Sequence, residues 1–445
     1  MPVENTTYQP PKSSFTALQY KDFRAYFGMR FFFTFACQMQ TTVIGFYVYQ
    51  LTHSKVAIAF IGLSEVIPAL GIALYGGYIA DKYEKRKMLL LIYTGVLVTS
   101  LVMFIATLKS MNGHIPIHGI LYIIYAMLFC NGVGRAFYEP ATFAVYAHSV
   151  PKEVYPNASS WNNLSWQAAS IIGPAAGGFL YAFGLPGLAG ISATFAAIIL
   201  LLILSLVLVY RLRRYPAVPG KKEKTGKSLL AGLHFVFKNK MMLSTMSLDL
   251  FSVFFGGVTA LLPVYAIDIL HVGAEGLGIM RMASSLGAAL TMAALVRFSP
   301  MARPWRNLLI AVTGFGCSII AFGLSHNFIL SLVFLFAQGA FDSVSVIIRS
   351  TIMQLLTPDH MRGRVSAVNS MFIGSSAEIG DFESGMAAKL LGTIPAVLFG
   401  GTMTLLIVIF TGLTTKKLLR LSLTDIHLAG EQISSHFSSR TTDKI

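Results

Sequence analysis

The chain has 445 residues, of which 55% are hydrophobic and only 12% are charged, and its mean hydropathy is +0.66. This composition excludes a soluble protein of this size and predicts a protein that crosses a membrane many times. The net charge of +15 does not indicate nucleic-acid binding, because the cations lie mostly between apolar runs, as the positive-inside rule expects. The polar, proline-containing residues 1–20 predict a cytoplasmic tail rather than a cleavable signal.

Twelve apolar runs of roughly twenty residues or more are long enough to form membrane-spanning helices. The first six are Phe23 to Gln50, Val56 to Ala80, Met88 to Leu108, Ile117 to Ala147, Ala158 to Phe183 and Gly187 to Tyr210. The second six are Met241 to Leu270, Gly276 to Arg297, Leu308 to Leu324, Phe328 to Leu355, Val365 to Leu391 and Pro395 to Leu413. We therefore predict an all-α membrane protein with two groups of six helices.

These runs divide the chain into two bundles with polar segments around them. We predict a cytoplasmic tail over 1–22, a first bundle over 23–210, a basic linker over 211–240, a second bundle over 241–415 and a tail over 416–445. The turns expected outside, Leu51 to Lys55 and Leu185 to Pro186, carry few cations. The segments expected inside carry many of them, which predicts that both termini are cytoplasmic. These cations are Arg211, Arg213, Arg214, Lys221, Lys222, Lys224, Lys227, Arg303, Arg306, Arg362, Arg364, Lys416 and Lys417.

Residues recur between the two groups of runs at nearly constant offsets, as expected of an internal repeat. An offset of 207 pairs Gly132 with Gly339, Pro151 with Pro358, Asn162 with Asn369, Gly173 with Gly380 and Gly178 with Gly385. An offset of 216 pairs Tyr49 with Tyr265, Gly62 with Gly278 and Gly71 with Gly287. We infer that the chain consists of two homologous halves.

The charged turn from Gly77 to Lys87 interrupts two long apolar runs, so it lies at the membrane surface, on the cytoplasmic side. Its pattern, Gly-x-x-x-Asp-Lys-x-x-Lys-Arg, resembles the loop between the second and third helices of the major facilitator superfamily. Glu84 departs from that pattern, because the family usually has glycine there. We interpret Gly77, Asp81, Lys82 and Arg86 as a conformational latch; the alternative is a charged turn that only anchors the topology.

Gly173, Pro174, Gly177 and Gly178 form a second motif, in the fifth run. Small residues let helices approach closely, and the proline removes one backbone hydrogen bond and bends the helix. The stretch is similar to the motif that marks antiporters in this superfamily, which favours export. Ordinary packing of small residues is the alternative.

Three further stretches narrow the resemblance to the branch that contains enterobactin exporters and related drug or macrolide efflux proteins. They are Gly134 to Pro140, Leu262 to Tyr265 with Gly276 to Gly278, and Thr357 to Asn369 followed by Phe382 to Gly385. The resemblance runs from about Phe15 to Leu413 and implies proton-coupled export through a twelve-helix fold. It does not identify the substrate.

Ionisable side chains inside membrane helices cost roughly 2.5–3.5 kcal/mol each to insert, so we treat them as functional candidates. A carboxyl group in a cavity is driven toward its neutral form and can then carry a proton. Asp342 and Glu378 lie nearest to mid-helix, and Glu65 and Asp249 are further candidates for proton coupling. Asp381 and Glu383 lie closer to the outer end, where they can tie helices together.

The remaining candidates for an aqueous cavity are cations and polar groups. They are Arg30, Arg135, Glu139, Arg281, Arg349, Asn162 and Gln167. The repeat offsets place Glu65 opposite Arg281 and Arg135 opposite Asp342, so we hypothesise charge pairs that break and reform during transport. Two structural alternatives stay open: Arg135 and Glu139 can neutralise each other on one helix, and Arg30 and Arg349 can snorkel to the interface.

We expect no cofactor and no metal site, because none of the ten histidines belongs to a recognisable ligand cluster or nucleophile pair. The protein is therefore not expected to be an enzyme. We predict a monomer in a bacterial inner membrane that exports an amphiphilic small molecule, such as a siderophore or drug, against protons. The alternatives are uptake or flipping of a siderophore or lysophospholipid by the same fold, and a membrane sensor that has lost transport.

Overall fold

The structure is a computed structural model, and it describes residues 15–111, 113–188, 190–213, 233–358, 361–421, 423 and 425. For residues 73–82, 109–111, 152, 362–364, 367, 370, 417 and 420 it describes only the backbone. Most of the predicted tails and the predicted linker therefore lie outside the described residues. In the predicted latch, only the backbone of Gly77, Asp81 and Lys82 is described.

Long α-helices make up nearly all of the described chain, and each matches one of the apolar runs. The first six are α1 (Lys21–Thr52), α2 (Lys55–Lys82), α3 (Lys85–Met111), α4 (Ile117–Ser149), α5 (Tyr155–Phe183) and α6 (Gly190–Arg211). The others are α7 (Lys240–Phe255), α8 (Gly273–Leu295), α9 (Pro304–Leu324), α10 (Phe328–Leu356), α11 (Arg362–Leu391) and α12 (Thr393–Thr414). The predicted all-α membrane fold is confirmed.

The seventh apolar run is not one continuous helix. Its helix α7 ends at Phe255, and the chain then passes through a 3-10 turn at Thr259–Leu261, a single α-turn at Leu262–Val264 and a π-turn at Tyr265–Ile269. Gly256 and Gly257 follow α7, and Pro263 brings no backbone N–H to the next turn, so the regular ladder stops here. The π-turn inserts extra residues just before the chain turns into α8.

Ten segments within the described residues are long and apolar enough to cross a membrane. One of them, Lys240–Ile269, combines α7 with its broken continuation. The helices α5 and α11 are not among the ten. Both carry polar residues along their length, and α11 alone holds Glu378, Asp381 and Glu383. The protein is a multi-pass membrane protein.

The chain forms two compact units, and their borders fall inside α1 and α2. The first unit contains the described residues of Met1–Thr41 and Gly71–Lys221, and the second those of Thr42–Leu70 and Lys222–Ile445. In the first unit, α3 packs on α4 and α6, and α5 packs on α6. In the second, α10 packs on α8 and α9, while α7 packs on α11 and α12. The predicted bundles over 23–210 and 241–415 stay a prediction.

Candidate functional site

In the first unit, a chain of hydrogen bonds holds the cation Arg30, in the first half of α1. The Nη1 group of Arg30 donates to the hydroxyl of Tyr26 at 3.0 Å, and that hydroxyl donates to Oδ1 of Asn162 on α5 at 3.1 Å. Tyr26 and Arg30 are four residues apart, so one turn of α1 presents both on the same face. The buried Nε of Arg30 has no hydrogen-bond partner among the described residues. Neutral hydrogen-bonding groups therefore orient Arg30, and its Nε–H group is available to donate a hydrogen bond to a ligand.

A cluster of stacked aromatic rings includes Tyr138, a phenol that acts on this cation. The ring of Phe33 on α1 stacks on Tyr93 of α3 with centroids 4.2 Å apart and on Tyr138 of α4 at 4.9 Å. The phenol of Tyr138 and the carboxylate of Glu139 both act electrostatically on Arg30. A guanidinium among phenol rings suits contacts to aromatic or anionic groups.

Polar contacts continue along α1 toward the glycine-rich part of α5. The Nε2 group of Gln38 donates to the hydroxyl of Ser170 at 3.1 Å. One turn further along α5, a Cβ added to Gly173 would lie 2.7 Å from Cβ of Gln38 and 3.2 Å from the carbonyl oxygen of Phe35. The side-chain-free surface at Gly173 thus lets α5 lie against α1. Gly173, Pro174, Gly177 and Gly178 are all buried.

Of the other candidates in this unit, Arg135 and Glu139 have exposed side chains on α4, and Gln167 is half-buried on α5. Arg86 is the one member of the predicted latch whose side chain is described. Its Nη2 group donates to the carbonyl oxygen of Tyr210 at 2.6 Å, and its Cζ lies 5.0 Å from the centroid of the Tyr210 ring. Arg86 therefore binds the last carbonyl groups of α6, where the helix dipole favours a cation.

In the second unit, an ion pair replaces the neutral hydrogen-bond chain. Asp249 of α7 binds Arg349 of α10, and each side chain is only 9% exposed. Arg349 also donates through Nε to the carbonyl oxygen of Ser345 at 3.3 Å. Apolar residues such as Leu248, Ile348 and Ile352 pack in the same region. The expected alternative that Arg349 snorkels to the interface is therefore wrong, because a buried carboxylate holds its guanidinium inside the unit.

A second cation of this unit, Arg281 on α8, lies in the electrostatic field of Asp381 on α11. Asp381 also accepts a hydrogen bond from the amide of Ala260, in the broken stretch after α7. A Cβ added to Gly257 would lie 3.5 Å from Oδ1 of Asp381, so this stretch approaches α11 closely. Breaking the seventh helix thus supplies a backbone N–H group to a buried carboxylate.

The acidic candidates for proton coupling have different surroundings. Asp249 is held in its ion pair, whereas half-buried Asp342 on α10 makes neither a hydrogen bond nor an ion pair with any residue that the structure describes. Glu65 on α2 and Glu378 on α11 are both half-buried. Arg135 and Asp342 belong to different units, so their proposed pairing stays a prediction.

The residues that contact these charged side chains were not predicted from the sequence. Tyr26 was detectable, because a phenol four residues before a membrane arginine lies on the same helical face. A link between Tyr49 and Asp268 was not detectable, since 219 residues separate the two side chains. Among the described residues, no group of three or more His, Cys, Asp or Glu side chains can hold a metal ion.

Comparisons of this chain with a family profile and with individual known sequences point to the same family. The sequence profile described as Major Facilitator Superfamily matches residues 26–381. The chain is 29% identical over 352 residues to the enterobactin exporter EntS of Shigella boydii serotype 4 (strain Sb227), which covers 78% of this chain and 80% of that protein. The enterobactin exporter EntS of Escherichia coli O139:H28 (strain E24377A / ETEC) matches with the same identity and coverage.

Solved transporter structures share the fold at low sequence identity. A D-xylose-proton symporter superposes with a TM-score of 0.69 and 14% identity, over 90% of this chain and 97% of that one. A POT family transporter crystallised with 5-aminolevulinic acid gives a TM-score of 0.70 and 13% identity over the same shares. The profile match extends over most of the chain. The protein therefore belongs to the Major Facilitator Superfamily of membrane transporters, and it is not an enzyme.

Proposed function

We propose that the protein exports an amphiphilic, siderophore-like small molecule across a bacterial inner membrane in exchange for protons. The observation that carries this proposal is the similarity over 352 residues to proteins named enterobactin exporters. The glycine-rich contact of α5 with α1 supports it, because the antiporter-like motif occupies a packed helix crossing there. We further propose that the protein works as a monomer by alternating access, with both termini in the cytoplasm.

Asp342 is the proton carrier that we favour. Its carboxyl group lies near the middle of α10 and has no described partner, so protonation breaks no existing bond. Asp249 is less suited, because taking up a proton there would break its ion pair with Arg349. Glu378 and Glu65 are the remaining carriers. Placing an isolated carboxyl group inside a membrane protein costs free energy, so such a group is by default a candidate for a functional role. This supports ranking Asp342 first.

Arg30 and its aromatic neighbours are the substrate contacts that we favour. The guanidinium has an Nε donor without a hydrogen-bond partner among the described residues, and Tyr138, which acts on it electrostatically, belongs to a stacked cluster with Phe33 and Tyr93. Tyr26 and Asn162 fix the orientation of the cation. Together they suit a molecule that offers both an aromatic face and an anionic or carbonyl oxygen.

Everted membrane vesicles test the proposal, because their lumen corresponds to the cell exterior. Enterobactin is supplied outside the vesicles and the lumen is then acidified. We expect enterobactin to accumulate inside, and we expect Asp342→Asn to abolish the response to the proton gradient. Asp22→Asn is the matched control, because it removes a carboxylate paired with Arg213 at 3.1 Å at the start of α1, outside the helix interiors.

Other outcomes separate the alternatives. Accumulation that requires the opposite gradient indicates uptake, and movement of lysophospholipid instead of enterobactin indicates flipping. If the vesicles move neither compound, culture supernatants of cells with and without the protein are compared for a missing metabolite. If the supernatants contain the same metabolites and the Asp342→Asn variant behaves like the parent protein, the result would support a sensor that does not transport.

A further inference from the structure

The turn that joins α1 to α2 is built into the second unit, although it lies in the first quarter of the chain. The unit contains Thr42–Leu70. A Cβ added to Gly385 on α11 would lie 2.6 Å from Cβ of Ala59 and 3.0 Å from the carbonyl oxygen of Lys55. A Cβ added to Gly62 would lie 3.2 Å from the carbonyl oxygen of Glu378. Both glycines are needed for the close approach of α2 and α11.

Two polar links fasten the same turn. The hydroxyl of Tyr49, near the end of α1, donates to Oδ2 of Asp268 in the π-turn. The Nζ group of Lys55, at the start of α2, donates to the carbonyl oxygen of Ala388 near the end of α11 at 3.2 Å. Tyr49 is 2% exposed and Asp268 is exposed, so this hydrogen bond is buried at its donor end only. A hydrogen bond from a buried phenol to a carboxylate is among the stronger kinds.

Both ends of this contact have unusual backbone. His53 follows α1 with a φ of 47°, and His271 follows the π-turn with a φ of 53°. Residues other than glycine rarely occupy this left-handed region, at a cost of about 1 kcal/mol or more, and they stay there only where the surrounding contacts fix them. The His53 ring packs edge-on against Tyr49 with centroids 5.7 Å apart. The two strained turns are thus joined through the bond between Tyr49 and Asp268.

We propose that Tyr49 and Asp268 are positioning residues that form a releasable clasp. The clasp holds the turn between α1 and α2 on the second unit while the outer face of the transporter is closed, and it must break for that face to open. This inference rests on the proposed alternating access and outward-facing turn, and it assigns the opening step to one hydrogen bond. The bond has the strength to bias such an equilibrium without locking it.

Among the described residues, the positions that the predicted repeat makes equivalent to Tyr49 and Asp268 do not form a second clasp. Tyr265 is the repeat equivalent of Tyr49, but its hydroxyl donates to the carbonyl oxygen of Gly323 at 3.2 Å. Thr52 occupies the place equivalent to Asp268, and its hydroxyl donates to the carbonyl oxygen of Val48 within α1 at 2.7 Å. Tyr265→Phe is therefore a matched control, because it removes a buried phenol hydroxyl and its hydrogen bond without touching the clasp.

Opening of the outer face can be measured by the chemical labelling of a cysteine placed at Gly45. Gly45 is buried one turn before Tyr49, and a Cβ there would lie 3.4 Å from Cγ of Pro263, an ordinary contact distance. The substitution is made after Cys37, Cys130 and Cys317 are replaced by serine. The rate of labelling by a membrane-impermeant maleimide is then measured on intact cells. No substrate is required, so the result does not depend on whether the proposed export reaction is correct.

Tyr49→Phe and Asp268→Ala, which leaves no side-chain acceptor, are each expected to raise the labelling rate about tenfold, the change that corresponds to losing one hydrogen bond to a charged group. The double variant should label no faster than the faster single variant, because both remove the same bond. Tyr265→Phe should label like the parent. Parent-like rates in both single variants would overturn the proposal, and so would equal acceleration by Tyr265→Phe. A rise in Tyr49→Phe alone would also overturn it, since the clasp needs both groups.

Discussion

The two halves of the repeat use glycine alike at one helix crossing and differently at another. Gly173 and Gly380 are repeat equivalents, and each brings its helix into close contact, α5 with α1 and α11 with the end of α7. Gly71 and Gly287 are also equivalents. Among the described residues, a Cβ at Gly71 would meet nothing within 4 Å, whereas one at Gly287 would collide with the backbone of Phe336 on α10. The repeat has thus kept one crossing and changed the other.

The two units also differ in how they hold a cation. The first unit orients Arg30 with the neutral groups of Tyr26 and Asn162, whereas the second unit neutralises Arg349 with the carboxylate of Asp249. A buried ion pair ties two helices together strongly once formed, because losing either partner leaves an uncompensated charge. A neutral chain leaves the cation available to a ligand. We therefore expect the second unit to be the more sensitive to charge removal and the first to be the more tolerant.

The largest expected effect comes from the ion pair. Arg349→Met should lower the free energy of unfolding by about 3–5 kcal/mol, because Asp249 is then buried without a partner. Arg30→Met should cost less, about 1–3 kcal/mol, because its hydrogen-bond partner is the neutral hydroxyl of Tyr26 and the carboxylate of Glu139 that acts on it is exposed to solvent. Unfolding by SDS titration in mixed micelles measures both. The double variant Asp249→Leu with Arg349→Met should recover most of the loss. Equal losses in Arg349→Met and Arg30→Met would contradict the contrast between the units.

The second test concerns the crossing that differs between the halves. Gly287→Ala should destabilise the protein by about 1–3 kcal/mol, because the methyl group would overlap the carbonyl oxygen of Phe336. Gly71→Ala should leave stability unchanged or raise it by about 0.5–1 kcal/mol, because alanine is the better helix former and space is open. The same SDS titration compares them. The asymmetry fails if Gly71→Ala is as damaging as Gly287→Ala.

A smaller difference is expected at the crossing that the halves share. A methyl group at Gly380 would meet backbone atoms of Phe254, the carbonyl oxygen at 2.6 Å and Cα at 2.9 Å. At Gly173 the methyl group would meet Cβ of Gln38 at 2.7 Å, but the nearest backbone atom, the carbonyl oxygen of Phe35, is further away at 3.2 Å. We expect Gly380→Ala to cost about 1–3 kcal/mol and Gly173→Ala roughly half of that. Gly95→Ala is the control, since nothing lies within 4 Å of that glycine's added Cβ. A harmless Gly380→Ala would disprove the shared crossing.

The smallest effect is expected in the neutral chain of the first unit. Tyr26→Phe removes the hydroxyl between Arg30 and Asn162 and should cost about 1 kcal/mol of stability. Asn162→Ala should cost a similar amount, and the double variant less than the sum, because the two groups share one bond. Thermal unfolding of the purified variants measures the three losses. Strict additivity would show that Tyr26 and Asn162 act independently.

Much of the fold was predictable because it depends on local features of the chain. Each apolar run except the seventh became one continuous helix, since a long hydrophobic segment in a membrane must satisfy its own backbone hydrogen bonds. The break after α7 also has a local cause in Gly256, Gly257 and Pro263, although the length of the run concealed it. The membrane charges were identifiable from their cost alone. Their partners were not, because pairing depends on how each helix is rotated toward its neighbours.

The sequence by itself determined the helices and the superfamily, since these follow from hydrophobic length and from short motifs. The tertiary structure decided that Arg349 pairs with Asp249 and that Asp268 binds Tyr49, a partner 219 residues away. It also decided that Thr42–Leu70 packs with the second unit. These features rest on contacts between distant segments, and such contacts exist only once glycine-lined helices have packed at particular angles.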